Sequence, residues 1–216
     1  MEVIETKPSI GDTSVHSRPG CEVGFGSPTI EAKMSLYPVH TVDNAPEASR
    51  FSLKALQSAF GFVPNIAGAM ATSPILIDSL VGLFGQVHGG SFTEPQIQVL
   101  LLTNAVTNGA EWAVAFHSAL ARGQGIAEAD VDAIRARRPP ADPKLAALSL
   151  LARTLIETRG KLDQYGIDAF LAAGFTPAHL LEVIAVSAAS TITNYTSNVT
   201  RPPLEARFGD HMWHAT

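Results

Sequence analysis

The chain of 216 residues is 46% apolar and only 16% charged, against roughly 25% charged in an ordinary soluble domain; that much apolar surface excludes a disordered chain. A net charge of −5 leaves no cationic field for nucleic acid, and the single cysteine, Cys21, excludes an internal disulfide framework, a thiolate zinc site and any Cys-x-x-Cys redox pair. The length suits one compact domain, and the sparse charge predicts that part of its folded surface is buried in a homo-oligomer.

Residues 1–33 scatter Gly, Pro, Ser and Thr among short apolar runs without periodicity. This predicts an extended or flexible arm ahead of a domain over residues 34–216. The opening segment lacks the basic and apolar regions of a signal peptide. Ser49 to Phe60 carries Phe51, Leu53, Leu56 and Phe60 at mostly helical spacing and stops at Gly61. Pro64 reopens the chain as a first helical residue, and Ser73-Pro74 starts a helix that ends at Gly89-Gly90. Thr93-Glu-Pro-Gln96 is a capping box. The helix it opens carries Ile97, Leu100, Leu101 and Ala105, and closes at Asn108-Gly109 as a left-handed pair. Another helix follows at once, Ala110 to Arg122, ending at Gly123. Asp142-Pro143 caps a helix through Leu145, Leu148, Leu151 and Leu155, closed by Gly160. Thr176-Pro177 caps the last long helix, which runs to about Val199 ahead of Arg201-Pro-Pro. No segment alternates with period two for more than a few residues, so the fold class is all-α. The apolar run from Val183 to Ile192 is about half the roughly 20 residues that cross a bilayer. It reads as a buried helix in a cytoplasmic protein without a membrane partner.

The stretch from Thr103 to His117, Thr-Asn-Ala-Val-Thr-Asn-Gly-Ala-Glu-Trp-Ala-Val-Ala-Phe-His, resembles the alkylhydroperoxidase D / carboxymuconolactone decarboxylase family. The resemblance extends over residues 36–208. It includes Phe62-Val-Pro-Asn65 with the Ser73-Pro74 helix start, and an ending of Asn194-Tyr195, Pro203-Leu204 and Phe208. It implies an oligomeric, all-α alkylhydroperoxidase D-like domain. The family's redox members carry a glutamate, eleven residues, Cys-x-x-Cys, three residues and a histidine. The matching positions here are Gln98, Ala110, Ala113 and His117, so the histidine alone is retained. On a helix, positions 110, 113 and 117 lie within about 60° of arc. That spacing lets a histidine deprotonate a thiol while a carboxylate on the preceding helix relays protons. Alanine has no nucleophile, so thiol–disulfide reduction of peroxide has no chemistry at these positions. Cys21, far away in sequence, reads as an incidental thiol.

His117 has two readings: a buried histidine kept for a hydrogen bond within its helix pair, or an acid/base or substrate-orienting group in a small-molecule pocket. A positioned histidine is worth roughly 10²–10⁴-fold in proton transfer. No second ligand stands three or four residues on, so no metal is expected, and no cofactor. Gln98 can orient His117 or a ligand but, being neutral, relays no proton. Glu111 falls on the far side of its helix from His117, as a first-turn carboxylate favoured by the helix dipole, and His88 reads as a helix C-terminal residue favoured in the same way. His211 and His214 are too isolated to form a site. The polar end of the last helix, Ser190 to Asn198, either emerges into solvent or, as the resemblance implies, sends Asn194 and Tyr195 into the pocket as substrate-binding residues. Arg135-Ala-Arg-Arg138 complements a helix C-terminus. Two functions stand side by side. One is a redox-silent, small-molecule pocket centred on His117, with non-thiol acid/base chemistry or simple binding. The other is a non-catalytic scaffold or partner subunit. A third, that Ala110 and Ala113 replace the cysteines of a dithiol hydroperoxide reductase, sits badly with Gln98. An enclosed pocket touching both Gln98 and His117 favours the first; a filled core there favours the scaffold.

Overall fold

The computed structural model describes residues 36–215; the expected arm at residues 1–33 and Cys21 lie outside them. Among the described residues helices follow one another with no strand: α1 (Arg50–Phe60), α2 (Asn65–Met70), α3 (Pro74–His88), α4 (Glu94–Thr107), α5 (Glu111–Gly123), α6 (Glu128–Arg135), α7 (Pro143–Glu157), α8 (Gln164–Ala172) and α9 (Pro177–Thr200), with short 3-10 turns at Glu47–Ser49 and Ala206–His211.

Local chemistry sets where these helices begin. The first-turn amides have no partner within the helix and take side-chain acceptors instead. Asp142 Oδ1 accepts from the Leu145 amide at 2.8 Å, and Asp163 Oδ1 accepts from Gly166 at 2.8 Å. The capping box at Thr93 is completed by the Thr93 amide donating to Gln96 Oε1 at 3.0 Å. Thr176 builds the same device with His179, whose Nδ1 accepts from the Thr176 amide at 3.0 Å.

Three boundaries differ from the sequence expectation. Asn108 is right-handed at φ −87°, so the left-handed position after α4 is Gly109 alone, at φ +62°. α5 includes Gly123, and the left-handed glycine after it is Gly125 at φ +81°. Pro64 caps α2 from outside, with extended ψ, rather than serving as its first residue. The helices α6 and α8 go beyond the sequence reading. Each is under ten residues long and buries one or two side chains, too short a window for helical periodicity to register.

The architecture is organised around α4, in which every residue from Ile97 to Val106 is buried. A helix buried on all sides belongs inside a bundle, and α4, with the polar Gln98, Thr103 and Asn104 among its buried residues, packs against α5, α7 and α9. Fully enclosed side chains such as Leu100, Leu101, Leu102 and Leu148 each contribute roughly 1.5–3 kcal/mol. The polar half of α9 does not emerge into solvent. Thr193, Asn194, Thr196 and Ser197 are buried, with Asn194 Nδ2 donating to Ser190 Oγ at 3.1 Å and Thr196 Oγ1 to the Ile192 carbonyl at 2.7 Å. Arg135 does more than complement a helix end. Its guanidinium donates to Ser118 Oγ at 3.0 Å and to the His211 and Met212 carbonyls at 2.8 Å, holding the C-terminal segment in place. No single helix among the described residues is long and apolar enough to cross a membrane.

Candidate functional site

α4 and α5 run side by side and bring Gln98 and His117 together, each only 3% exposed. His117 Nδ1 lies 3.0 Å from Gln98 Oε1. One turn earlier on α4, Glu94 Oε1 accepts from Gln98 Nε2 at 2.7 Å. Glu94 Oε2 in turn accepts from His88 Nδ1 at 2.9 Å, at the end of α3. These contacts decide the proton positions. A carboxylate oxygen accepts only, so the Gln98 amide must present NH₂ to Glu94 and its oxygen to the histidine. His117 therefore carries its proton on Nδ1, and Nε2 holds a lone pair. Among the described residues Nε2 has no hydrogen-bond partner, and it is not one of the sealed, unpaired buried atoms. It opens on a cavity.

That cavity has a volume of about 500 Å³ and is bounded by α1 to α5, with Thr193 of α9 on its wall. Leu56, Phe60, Leu80, Phe84, Trp112 and Phe116 supply much of the apolar lining, and His88, Glu94, Gln98 and His117 form a polar chain along one side. The outer pair, His88 and Glu94, have side chains about 35% exposed and mark the solvent end; His117 marks the inner end. The rings brace one another. Phe116 stacks on Trp112 at 4.8 Å and meets Phe60 edge-on at 5.4 Å, while Phe84 stacks on His88 at 5.7 Å. Burial pushes the His117 imidazole down to about 3, and the neighbouring His88 acts in the same direction. A charged imidazolium with this little water around it loses its hydration without a compensating anion in contact, so His117 is neutral at ordinary pH.

Glu94 and His88 are the members of this group that sequence reasoning missed. The signal for Glu94 was its spacing of four residues from Gln98 on one helix face, hidden by its place inside the capping box. Ala110 and Ala113 are the N-cap and third residue of α5; both are fully buried and off the cavity wall. Asn194 is fully buried, bonded within α9 and off the wall, where its neighbour Thr193 stands. The expectation for Tyr195 is corrected: it is 59% exposed, because a consecutive residue on a helix turns by about 100° and faces outward. Glu111 lies outside, with its Oε2 3.4 Å from His214 Nδ1. Those two residues border a separate cavity of about 590 Å³ with Arg201 and Trp213. Among the described residues no three of His, Cys, Asp and Glu cluster as metal ligands do.

No family model matches the chain, and no curated protein matches it in sequence. Solved structures do match in shape. An uncharacterised peroxidase-related protein of Ralstonia eutropha JMP134, described as an alkylhydroperoxidase AhpD core, superposes with a TM-score of 0.72 at 19% identity, over 81% of this chain and 94% of its own. The debrominase Bmp8, in a cysteine-to-alanine variant complexed with 2,3,4-tribromopyrrole, gives 0.69 at 17% identity, over 82% and 95%. A peroxidase-related protein of Silicibacter sp. TM1040 gives 0.68 at 15% identity, over 83% and 96%. The chain has the alkylhydroperoxidase D fold. In this AhpD-like bundle the Gln98–His117 contact spans the α4–α5 pair, and the cavity opens beside it.

Proposed function

We propose that the chain binds a small molecule in the Gln98–His117 cavity and that His117 orients it through Nε2, as the centre of a redox-silent site with non-thiol acid/base chemistry. The observation that supports this most is a buried, neutral imidazole whose Nδ1 is held by Gln98 while Nε2 faces about 500 Å³ of largely apolar space. Ligand sites are of this size and character, with a few polar groups among apolar walls. Nε2 accepts a hydrogen bond from the ligand's X–H group. In an acid/base step it takes that proton only as it is passed on to another atom of the same ligand, the X–H electron pair staying on the ligand, so that no separated ion pair is held beside the buried imidazole. Behind it Gln98 Oε1 keeps the Nδ1 hydrogen bond, and the Glu94 carboxylate orients Gln98, as a buried carboxylate orients a catalytic histidine. The tribromopyrrole complex of a protein with the same fold supports the view that this bundle accommodates small rings. The scaffold alternative requires the cavity to be idle.

Melting of the wild type and His117→Gln in the presence of a panel of small organic molecules tests this. A ligand of the native state stabilises by mass action, about 2.7 kcal/mol at a concentration of 100 Kd. The expected result is at least one compound that raises Tm in the wild type and loses its effect in His117→Gln. Compounds that act equally on both, or none that act, refute the assignment.

A further inference from the structure

We infer that the molecule taken by this cavity is an uncharged aromatic carrying one hydrogen-bond donor, of the phenol or azole N–H class; the inference rests on the cavity being the ligand site. Two open polar atoms face the cavity from buried residues, His117 Nε2 and Thr193 Oγ1; the hydroxyl adapts as donor or acceptor, whereas the Gln98–Glu94 chain makes Nε2 an acceptor. A ligand reaching it must donate. Anions are excluded by the walls, because no Lys or Arg is among the lining residues and the one formal charge there is the Glu94 carboxylate. A buried anion would meet a lone pair and a like charge, without a partner to offset its lost hydration. A cation at the inner end would stand among apolar walls with no carboxylate in contact, the one acidic residue of the lining being Glu94 at the solvent end. Glu94 is no remedy for a group at the inner end, since Gln98 lies between it and His117. Flat walls from Phe60, Phe84, Trp112 and Phe116 favour a ring, which stacks or meets them edge-on.

Isothermal titration of the full chain at pH 7 with 4-ethylphenol, 4-ethylanisole, 4-ethylbenzoate and 4-ethylbenzylamine tests the class. The phenol is expected to bind at least about tenfold tighter than the anisole, a factor equal to about 1.4 kcal/mol, with no detectable binding of the benzoate or the ammonium ion. In ¹⁵N spectra of labelled histidine, the Nε2 resonance of His117 should move on adding the phenol and stay put with the anisole. Equal affinity for phenol and anisole, or preference for either charged probe, overturns the ligand class while leaving the cavity a binding site. Failure of all four to bind overturns the class together with the proposed site.

Discussion

Acidification provides the sharpest physical test of the buried imidazole. His117 titrates at about 3 in the folded chain and at the ordinary 6.5 when unfolded. As pH falls below 6.5 the unfolded state takes up a proton that the folded state refuses, so stability drops. The contribution is fully present above pH 6.5 and is lost progressively until about pH 3. Each pH unit in that window is worth about 1.4 kcal/mol, so moving from pH 7 to pH 5 should destabilise the fold by about 2 kcal/mol through this residue. Other groups titrate too, and His117→Gln removes this one while keeping a side chain able to donate to Gln98. Urea unfolding of both proteins at pH 7, 6 and 5 therefore isolates the effect as a difference. The variant should gain on the wild type by about 2 kcal/mol between pH 7 and pH 5. A difference that stays flat over that range would mean His117 is either hydrated or paired with an anion, and the neutral Nδ1–H assignment would fall with it.

Three further outcomes follow from the geometry. Hydroperoxide consumption with a dithiol reductant should stay at the blank rate and be unchanged by Cys21→Ser, because Cys21 is the single thiol in the chain; turnover that Cys21→Ser leaves intact would contradict this. Gly68→Ala should destabilise α2 by roughly 1–3 kcal/mol, since a Cβ there would sit 2.7 Å from the His40 carbonyl oxygen and from Val39 Cγ1; thermal melting reads it. Glu205→Leu should cost a similar 1–3 kcal/mol in chemical denaturation, because Glu205 accepts from the Asn65 amide at 2.6 Å and from Trp112 Nε1 at 3.0 Å, and both donors would lose their partner.

Helix starts were legible because a cap is a contact between residues three apart. Thr93, Asp142 and Thr176 carry that information whatever surrounds them. The all-α class was legible for the same reason, being written in spacing along the chain. The meeting of Gln98 and His117 was anticipated through the family resemblance, since nothing in their separation of 19 residues says that α4 and α5 lie side by side. Glu94 shows where local reading ends: its fourfold spacing from Gln98 is in the sequence, but α3 must bring His88 alongside before its carboxylate is held on both oxygens. Asn194 and Tyr195 show it more plainly. They are adjacent, both polar, on a helix with almost no charge to mark an outer face, yet one is fully buried and the other 59% exposed. Which side of α9 turns inward is decided by α3 and α4 packing against it. That is a burial energy between residues far apart in sequence, and no pattern within α9 determines it.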